Sequence, residues 1–248
     1  MRLARSAADI RASLRLRHRV FVDEMGADIA CADAIETDDF DRHCQHLLVI
    51  DPVDGELLAS TRLLDCDTAQ RIGGFYSESE FDMAPIRHQP GRTLEIGRTC
   101  VAPQSRQGAV IAALWSGIGA FVRSGRFEHL IGCASIDARD GSARAHFLYA
   151  QLVQTQLSPV DCRVTPKREL PPADTAKDAQ APVFSRPPLL KAYLRLGATV
   201  GGAPCWDPEF RVADLFMHLQ VANLCPRYAR HFLHRPRPAA HRPPVTVR

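Results

Sequence analysis

A carboxylate and a guanidinium lie inside an otherwise apolar stretch of the chain, TLEIGRTCVAP at residues 93–103. The pattern predicts a β-strand, in which Glu95 and Arg98 would point to opposite faces of the sheet if the strand alternated strictly. Gly97 lies between them, and a glycine inside a strand often marks a β-bulge, which would bring both side chains towards one side. The stretch therefore predicts a charged pair beside a broken hydrogen-bond ladder or, alternatively, an edge strand with two solvated charges.

The junction that follows this strand is a second place where chemistry could occur. At VAPQSRQGAV, residues 101–110, the chain passes from strand to helix, and the free amides of a helix N-terminus favour the oxygens of an anion or a thioester arm. The chain has no GxGxxG after a first strand, no P-loop, no GxSxG and no HExxH, so nucleotide-binding, serine hydrolase and zinc protease functions lack their residues. Any chemistry must come from charged residues around one cleft.

The cysteines predict no metal site. All eight are scattered, with no CxxC pair and no spacing of cysteine and histidine that is typical of zinc, so we expect reduced thiols. Cys44 and His46 lie two residues apart, but any two such residues of a strand share a face. We expect neither a metal ion nor a cysteine nucleophile there.

The predicted elements that would position these residues alternate between helix and strand. An amphipathic basic helix comes first, with Ile10, Leu14 and Phe21 near helical spacing on its apolar face and the arginines at 11, 15 and 19 on its polar face. Two strands, HLLVID and ELLASTRLL, form a hairpin, and a long apolar helix and a buried strand, HLIGCAS, follow the strand at 93–103. This order predicts a single mixed α/β domain with a Pro-rich surface loop at about residues 165–182.

Composition indicates an ordinary globular protein with one sizeable core. Its 248 residues are 46% hydrophobic and 24% charged. The first residues contain no apolar core of a signal peptide, and we find no uninterrupted apolar run long enough to span a bilayer. These features predict a cytoplasmic protein.

The basic charge is concentrated at the end of the chain. Residues 227–248 contain six arginines and no acid, so the formal net charge of +3 becomes −3 without them. We expect the Pro- and Arg-rich residues 233–248 to be disordered. This tail could contact an anionic membrane surface or an acidic partner, or it could simply be solvated. No aromatic residue accompanies the last arginines, which argues against a nucleic-acid partner.

Eight segments, taken in order, carry a family resemblance. They are LRHRVFVDEMGA, DDFDRHCQHLLVID, STRLL, GGFYSESEFD, LEIGRTCV, LIGCAS, LLKAYLRLGA and WDPEF. In combination they resemble the bacterial ornithine N-acyltransferases that make lyso-ornithine lipid, a branch of the GNAT superfamily close to the acyl-homoserine-lactone synthases. The resemblance covers roughly residues 14–232. It implies a GNAT-like domain over residues 1–232, with a mostly antiparallel central sheet flanked by helices.

The resemblance also implies a reaction. An amide would form between the α-amine of L-ornithine and a 3-hydroxyacyl chain carried as a thioester on the 4'-phosphopantetheine of an acyl carrier protein, with no bound cofactor. Glu95 matches the carboxylate favoured as base in the related lactone synthases, acting directly or through water, and Arg98 would orient it or help bind a carboxylate. Backbone amides near Cys100 and Val101, left free by the bulge, would polarise the thioester carbonyl.

Four further charged positions match the related lactone synthases, where they form an electrostatic cluster at the amino-acid end of the cleft. They are Arg17, Asp38, Asp41 and Arg62. The resemblance implies that they bind the carboxylate and the side-chain ammonium of the substrate. Alternatively they order the N-terminal segment through salt bridges, and for Arg17 we expect that structural role.

The loop after the strand departs from the GNAT pattern for coenzyme A, Q/R-x-x-G-x-G/A. After Arg106, Ala109 and Ile111 occupy the two glycine positions, although close approach to a pyrophosphate favours glycine. The departure favours a donor that presents only a phosphopantetheine arm, held at Arg106, Gln107 and Gly108, on an acidic carrier protein attracted by the basic residues. A buried Ile111 that only packs in the core would leave coenzyme A use open.

Three functions therefore remain open. The first is the ornithine acyltransferase. The second is related chemistry, either a lactone synthase that uses S-adenosylmethionine or a coenzyme-A-dependent N-acyltransferase, and GGFYSESEFD and WDPEF favour the first over it. The third is a catalytically silent acyl-carrier or lipid-binding protein, against which Glu95 and the cleft charges weigh.

Overall fold

A computed structural model of the protein describes residues 1–106, 108–173 and 185–225. The strands are β1 (Arg2–Leu3), β2 (Gln45–Ile50), β3 (Leu57–Asp65), β4 (Phe81–Asp82), β5 (Thr93–Val101), β6 (His129–Asp137), β7 (Thr165–Pro166), β8 (Thr199–Val200), β9 (Cys205–Asp207) and β10 (Val212–Gln220). The α-helices are α1 (Ala7–Arg17), α2 (Cys66–Ile72), α3 (Ala84–Arg87), α4 (Gly108–Gly125), α5 (Ala143–Gln156) and α6 (Pro188–Leu196). A π-helix, His18–Glu24, continues α1, and short 3-10 helices lie at Tyr76–Ser79, Pro103–Ser105, Val160–Cys162 and Val221–Asn223.

One central sheet contains eight of these strands. Its order is β1-β2-β3-β5-β6-β10-β8, and β9 also pairs with β10. β5 and β6 are parallel, whereas the other strand pairs of this sheet in the described residues are antiparallel. β4 and β7 form a separate antiparallel pair. The predicted mixed, mostly antiparallel sheet is confirmed, as are the hairpin of β2 and β3 and the parallel strand after α4.

Helices cover both faces of the sheet at β2 and β3. Successive strand residues face opposite sides, and the core cluster that includes α4 contains Leu47 and Ala59. On the other face, Ser13 of α1 places its Oγ 3.4 Å from Nδ1 of His46. By length and composition alone α4 could cross a membrane, whereas the sequence analysis predicted no apolar run long enough to do so. Core helices of soluble proteins meet the same criteria. Ile118 of α4 is only 1% exposed.

The sheet opens beside β5. β5 and β6 pair only where Thr93–Glu95 lies along His129–Ile131, and then the two strands part. Gly132 lies where they part, and a Cβ there would come within 2.2 Å of the Ile96 carbonyl oxygen, so only glycine fits. The other edge of β5 remains paired with β3 as far as Val101. A wedge therefore opens between β5 and β6 just beyond Glu95.

The N-terminal helix differs from its predicted form in two respects. It is α-helical only as far as Arg17, after which the π-helix begins. The predicted apolar face is also displaced, because Ile10 is 36% exposed while an arginine is buried. The buried residues of this segment are Ser13, Leu16, Arg17 and Val20. The predicted basic face is confirmed, since Arg11, Arg15 and Arg19 are exposed.

The predicted surface loop at about residues 165–182 begins as a strand. Thr165–Pro166 pairs with β4, and the Lys167 amide donates to the Glu80 carbonyl oxygen at 2.7 Å. Residues 174–182 of that loop and the predicted tail at 233–248 lie outside the described residues.

Candidate active site

Glu95 lies in β5 at the start of the wedge and is only 3% exposed. Its Oε1 accepts hydrogen bonds from the backbone N–H and the hydroxyl of Ser77, at 2.8 and 2.5 Å, and its Oε2 accepts one from the Tyr76 N–H at 2.7 Å. Burial raises the pKa of Glu95, and the Ser77 and Tyr76 donors oppose this rise because they favour the charged form. A carboxylate held in one orientation with a raised pKa is suited to accept a proton near neutral pH.

A β-bulge interrupts β5 directly after Gly97. Ser60 pairs with Cys100 and Arg62 pairs with Gly97, so β5 has one residue more than β3 between these pairs. The bulge predicted at Gly97 is confirmed, but its left-handed residue is Arg98, with φ of 48°, and not the glycine. A non-glycine residue in this region is uncommon, and such strain is concentrated at functional sites.

The bulge brings Arg98 to the cavity that Glu95 lines. The Arg98 guanidinium lies between the rings of Tyr76 and Phe210, 4.7 Å from each ring centre. Its Nε is 3.2 Å from Glu36 Oε1, and its Nη2 is 3.3 Å from Asp38 Oδ2. Within the described residues no ion pair joins Arg98 to Glu95, and Tyr76 contacts both instead.

Arg98 also belongs to a closed ring of ion pairs, which we call the charge ring. Its six members, each paired with the next, are Arg17, Glu36, Arg98, Asp38, Arg62 and Asp41, and Asp41 returns to Arg17. Three arginines therefore balance three acids. All four residues predicted to bind the substrate lie in the charge ring. Glu36 was not predicted, because the acid-rich sequence around it is typical of a solvated loop.

The charge ring is most deeply buried at Arg17. Arg17 is 1% exposed and contacts Glu36 Oε2 and, at 2.5 Å, Asp41 Oδ1. Burial would raise the pKa of Asp41, but Arg17 and Arg62 outweigh it, so this pKa lies below the usual range. Arg17 Nη2, Arg62 Nη2 and Asp38 Oδ2 are buried and form no hydrogen bond in the described residues, although Asp38 Oδ2 is ion-paired with Arg98. The charge ring thus holds the N-terminal segment on the sheet and keeps hydrogen-bonding capacity at Arg62 and Asp38.

Three carboxylates that the sequence analysis did not single out also line the cavity. We call Glu80, Asp207 and Asp214 the acid trio; their oxygens lie within 4.8 Å of one another and all three residues are buried. Burial, followed by the charge of Asp214, raises the pKa of Glu80 to about 9, and burial raises that of Asp214 to about 6. A signal for Asp214 was available, since it interrupts an apolar strand as Glu95 does.

The backbone amides at the end of β5 point alternately towards β3 and towards the wedge. Ala102 donates its N–H to the Leu58 carbonyl oxygen of β3 at 2.8 Å. Amides two residues apart in a strand point the same way, so the Cys100 amide is directed towards β3 and the Val101 amide towards the wedge. Beyond Glu95 the wedge side of β5 has no strand partner in the described residues.

The strand-to-helix junction holds the remaining predicted site residues. Arg106 pairs with Glu24 of the π-helix through two contacts of 2.6 Å, Nη1 to Oε1 and Nη2 to Oε2. Gly108 is the first residue of α4 and is exposed, whereas Gln107 lies outside the described residues. A phosphate at this junction would have to replace Glu24 on Arg106 or bind beside it.

Comparisons with known proteins agree with this architecture. Residues 16–116 match a family model described as an acetyltransferase (GNAT) domain. The L-ornithine N(alpha)-acyltransferase of Rhodobacter capsulatus is 36% identical over 246 residues, which cover 95% of each chain. That of Brucella abortus is 35% identical over 249 residues, 94% of this chain and 88% of the relative. The solved structure of BjaI, a CoA-dependent acyl-homoserine lactone synthase, shares the fold with a TM-score of 0.51 at 14% identity, covering 92% of this chain and 80% of BjaI.

Proposed function

This chain belongs to the L-ornithine N(alpha)-acyltransferase family, and from that premise we propose that it acylates the α-amine of L-ornithine. In this proposal a 3-hydroxyacyl chain comes from the 4'-phosphopantetheine of an acyl carrier protein, and the product is lyso-ornithine lipid. The observation that supports the chemistry most directly is the buried Glu95 carboxylate, which three hydrogen-bond donors hold beside the wedge.

Glu95 is the proposed base. It removes a proton from the α-ammonium, directly or through one water. The neutral nitrogen attacks the thioester carbonyl carbon and the C–S bond breaks. The nitrogen loses its second proton and the departing thiolate takes one up, which leaves an amide and a free thiol. An α-amine has a reference pKa of about 8 against about 10.4 for a lysine-like amine, so it loses its proton more readily near pH 7. A positioned base contributes about 10² to 10⁴ in rate.

The oxyanion formed during the attack needs a donor in the wedge. Of the two amides predicted for this role, Val101 is the one whose direction suits it, since the Cys100 amide is directed towards β3. One such donor typically contributes about 10² to 10³ in rate. A thioester is already activated, so holding the two reactants together is the other main task of the protein.

The charge ring is proposed to form the amino-acid end of the site. Arg98 has the longest contacts of the three arginines, at 3.2 and 3.3 Å, and faces the cavity with Glu95. A substrate carboxylate could therefore join or replace Glu36 and Asp38 at its guanidinium. Asp38 and then Arg62 follow Arg98 in the ring, and Arg17 and Asp41, which form no ion pair with Arg98 in the described residues, position the others.

The donor and the location are the finer parts of the proposal. The exposed Arg11, Arg15 and Arg19 would attract an acidic carrier protein over a long range. The phosphopantetheine arm would pass Arg106, Gln107 and Gly108 into the wedge. We propose a cytoplasmic protein whose basic tail contacts the anionic inner face of the membrane, the tail itself lying outside the described residues.

A mass-spectrometric assay tests the function and the base together. Purified protein receives a 3-hydroxyacyl carrier protein with ornithine, lysine and S-adenosylmethionine in one mixture. We expect N-acyl-ornithine, formed at least about a hundredfold more slowly by Glu95→Gln. Glu56→Gln, an exposed glutamate in the hairpin turn, is the matched control.

Each other outcome removes a different part of the proposal. Equal turnover by Glu95→Gln would keep the function and reject the base. In a parallel reaction with 3-hydroxyacyl-coenzyme A as the donor, acylation that the carrier protein does not support would reject the proposed donor. No amide from any amine would favour a protein that binds acyl carriers without catalysis.

A further inference from the structure

The acid trio lies in the cavity that already holds the candidate base. Three carboxylates alone identify no ligand, but a path of contacts joins these three to Glu95. The Ser77 hydroxyl donates to Glu95 Oε1 at 2.5 Å and lies 3.5 Å from Cys133 Sγ, which in turn lies 3.3 Å from Glu80 Oε2. The acid trio is therefore a neighbour of the site at which the α-amine is proposed to react.

The acids of the charge ring are poorly placed to bind a substrate cation. Asp38 already contacts Arg62 and Arg98, and Asp41 already contacts Arg17 and Arg62. An ammonium that entered there would be repelled by the two arginines that each of these acids already contacts. The acid trio has no such competitor, because no ion pair within the described ranges includes Glu80, Asp207 or Asp214.

The charged groups that line the cavity match those of a diamino acid. Contacts run from Arg98 through Tyr76 to Glu95, and from Glu95 through Ser77 and Cys133 to the acid trio. The Tyr76 side chain also interacts with Glu80, so the cavity presents a cation, a base and a set of anions around Tyr76 and Ser77. An amino acid with a terminal amine presents a carboxylate, an α-amine and an ammonium, one group for each of these three.

We propose that the acid trio binds the side-chain ammonium of the amino-acid substrate, and that Glu80 and Asp214 thereby select a diamino acid. This assignment rests on the proposed function. The two nitrogens of ornithine are five bonds apart. With a hydrogen bond of about 2.8 Å at either end, the molecule is long enough to reach from Glu95 to Glu80, which are joined by the contacts through Ser77 and Cys133. The trio retains a proton at neutral pH, because burial and then Asp214 raise the pKa of Glu80 to about 9, and the ammonium would displace it into solvent.

The test compares two acceptors that differ only in the terminal amine. Ornithine and norvaline are offered separately to the full chain with the same acyl carrier protein, and kcat and KM are measured for wild type, Glu80→Gln, Asp214→Asn and the control Glu56→Gln. We expect the ratio of kcat/KM for ornithine to that for norvaline to fall at least about tenfold in both cavity variants, mainly through the KM for ornithine. The control keeps the wild-type ratio.

Calorimetric titration of ornithine and norvaline into the same four proteins, without a donor, gives an independent readout. We expect Glu80→Gln to weaken ornithine binding at least about tenfold. Folded variants with unchanged acceptor ratios and unchanged ornithine binding would overturn the subsite. Mg²⁺, Ca²⁺ and Mn²⁺ are titrated into the same proteins. If one of these ions binds wild type and Glu80→Gln abolishes the binding, the ammonium subsite is overturned in favour of a metal site. If wild type acylates neither acceptor, the proposed function fails and calorimetry alone decides the subsite.

Discussion

Two charged clusters lie close to Glu95, and they differ in their balance of charge. In the charge ring three arginines meet three acids, each charge touching two of opposite sign. In the acid trio the oxygens of three carboxylates lie within 4.8 Å of one another, and none of the three forms an ion pair in the described ranges. The first cluster lowers the pKa of its buried Asp41, and the second raises those of Glu80 and Asp214. The charges of the ring are balanced within the fold, whereas those of the acid trio would be balanced by a bound cation.

The physical basis of the difference is the cost of burying charge. A buried ion is tolerated when it is paired and hydrogen-bonded, and otherwise it shifts its pKa and becomes neutral. The charge ring meets the first condition, so its removal should harm stability. The acid trio meets the second, so its removal should help stability and harm only the proposed recognition of substrate.

The largest expected effect is the loss of one arginine from the charge ring. Arg17→Met would leave Glu36 and Asp41 buried with one cation fewer, which typically costs about 3–5 kcal/mol. Unfolding in urea should show this loss in the transition midpoint. Arg11→Met on the exposed face of the same helix is the control and should stay within about 0.5 kcal/mol of wild type. An Arg17 variant as stable as the control would mean that the charge ring does not hold the N-terminal segment.

The contrast between the clusters also marks what the sequence could predict. Apolar alternation and Gly97 predict β5 and its bulge, because both depend on local backbone preferences. The family resemblance predicts Arg17, Asp38, Asp41 and Arg62 as one cluster. Glu36 and Glu80 were missed, since an acid in a polar stretch looks solvated and its burial depends on partners distant in sequence.

The N-terminal helix shows that burial of a basic residue is equally hard to predict from sequence. Its periodicity indicates an apolar face with Ile10, yet Arg17 is the buried residue. Periodic patterns assume that charged residues face water, and the assumption fails where tertiary ion pairs compensate the charge. A buried arginine therefore cannot be recognised until Glu36 and Asp41 are placed beside it.

A smaller effect of opposite sign is expected from Glu80→Gln. The pKa of Glu80 is raised to about 9 in the folded protein, against about 4.3 in the unfolded chain. Its contribution to stability is therefore complete below about pH 4 and is lost as the pH rises towards 9, by up to about 1.4 kcal/mol per pH unit. Because glutamine stays neutral, we expect the variant to be more stable than wild type by about 1–4 kcal/mol at pH 7.

The pH dependence sharpens the comparison further. Urea unfolding at pH 5, 7 and 9 should show the advantage of Glu80→Gln growing with pH. Asp41 behaves in the opposite way: its lowered pKa stabilises the fold above about pH 4, and this contribution is lost as the pH falls. A Glu80→Gln advantage that is constant from pH 5 to 9 would contradict a raised pKa and remove the contrast between the clusters.

The smallest expected effect tests what holds the charge ring together. The Thr37 hydroxyl donates to Asp41 Oδ2 at 3.0 Å from an exposed position. Thr37→Val removes this donor, but Asp41 keeps Arg17, Arg62 and the Asp38 amide at 2.9 Å, so we expect a loss of only about 0.5–1 kcal/mol in urea unfolding. A loss comparable to that of Arg17→Met would mean that the accessory hydrogen bonds, and not the alternation of arginines and acids, stabilise the charge ring. In that case its balance of charge would no longer distinguish it from the acid trio.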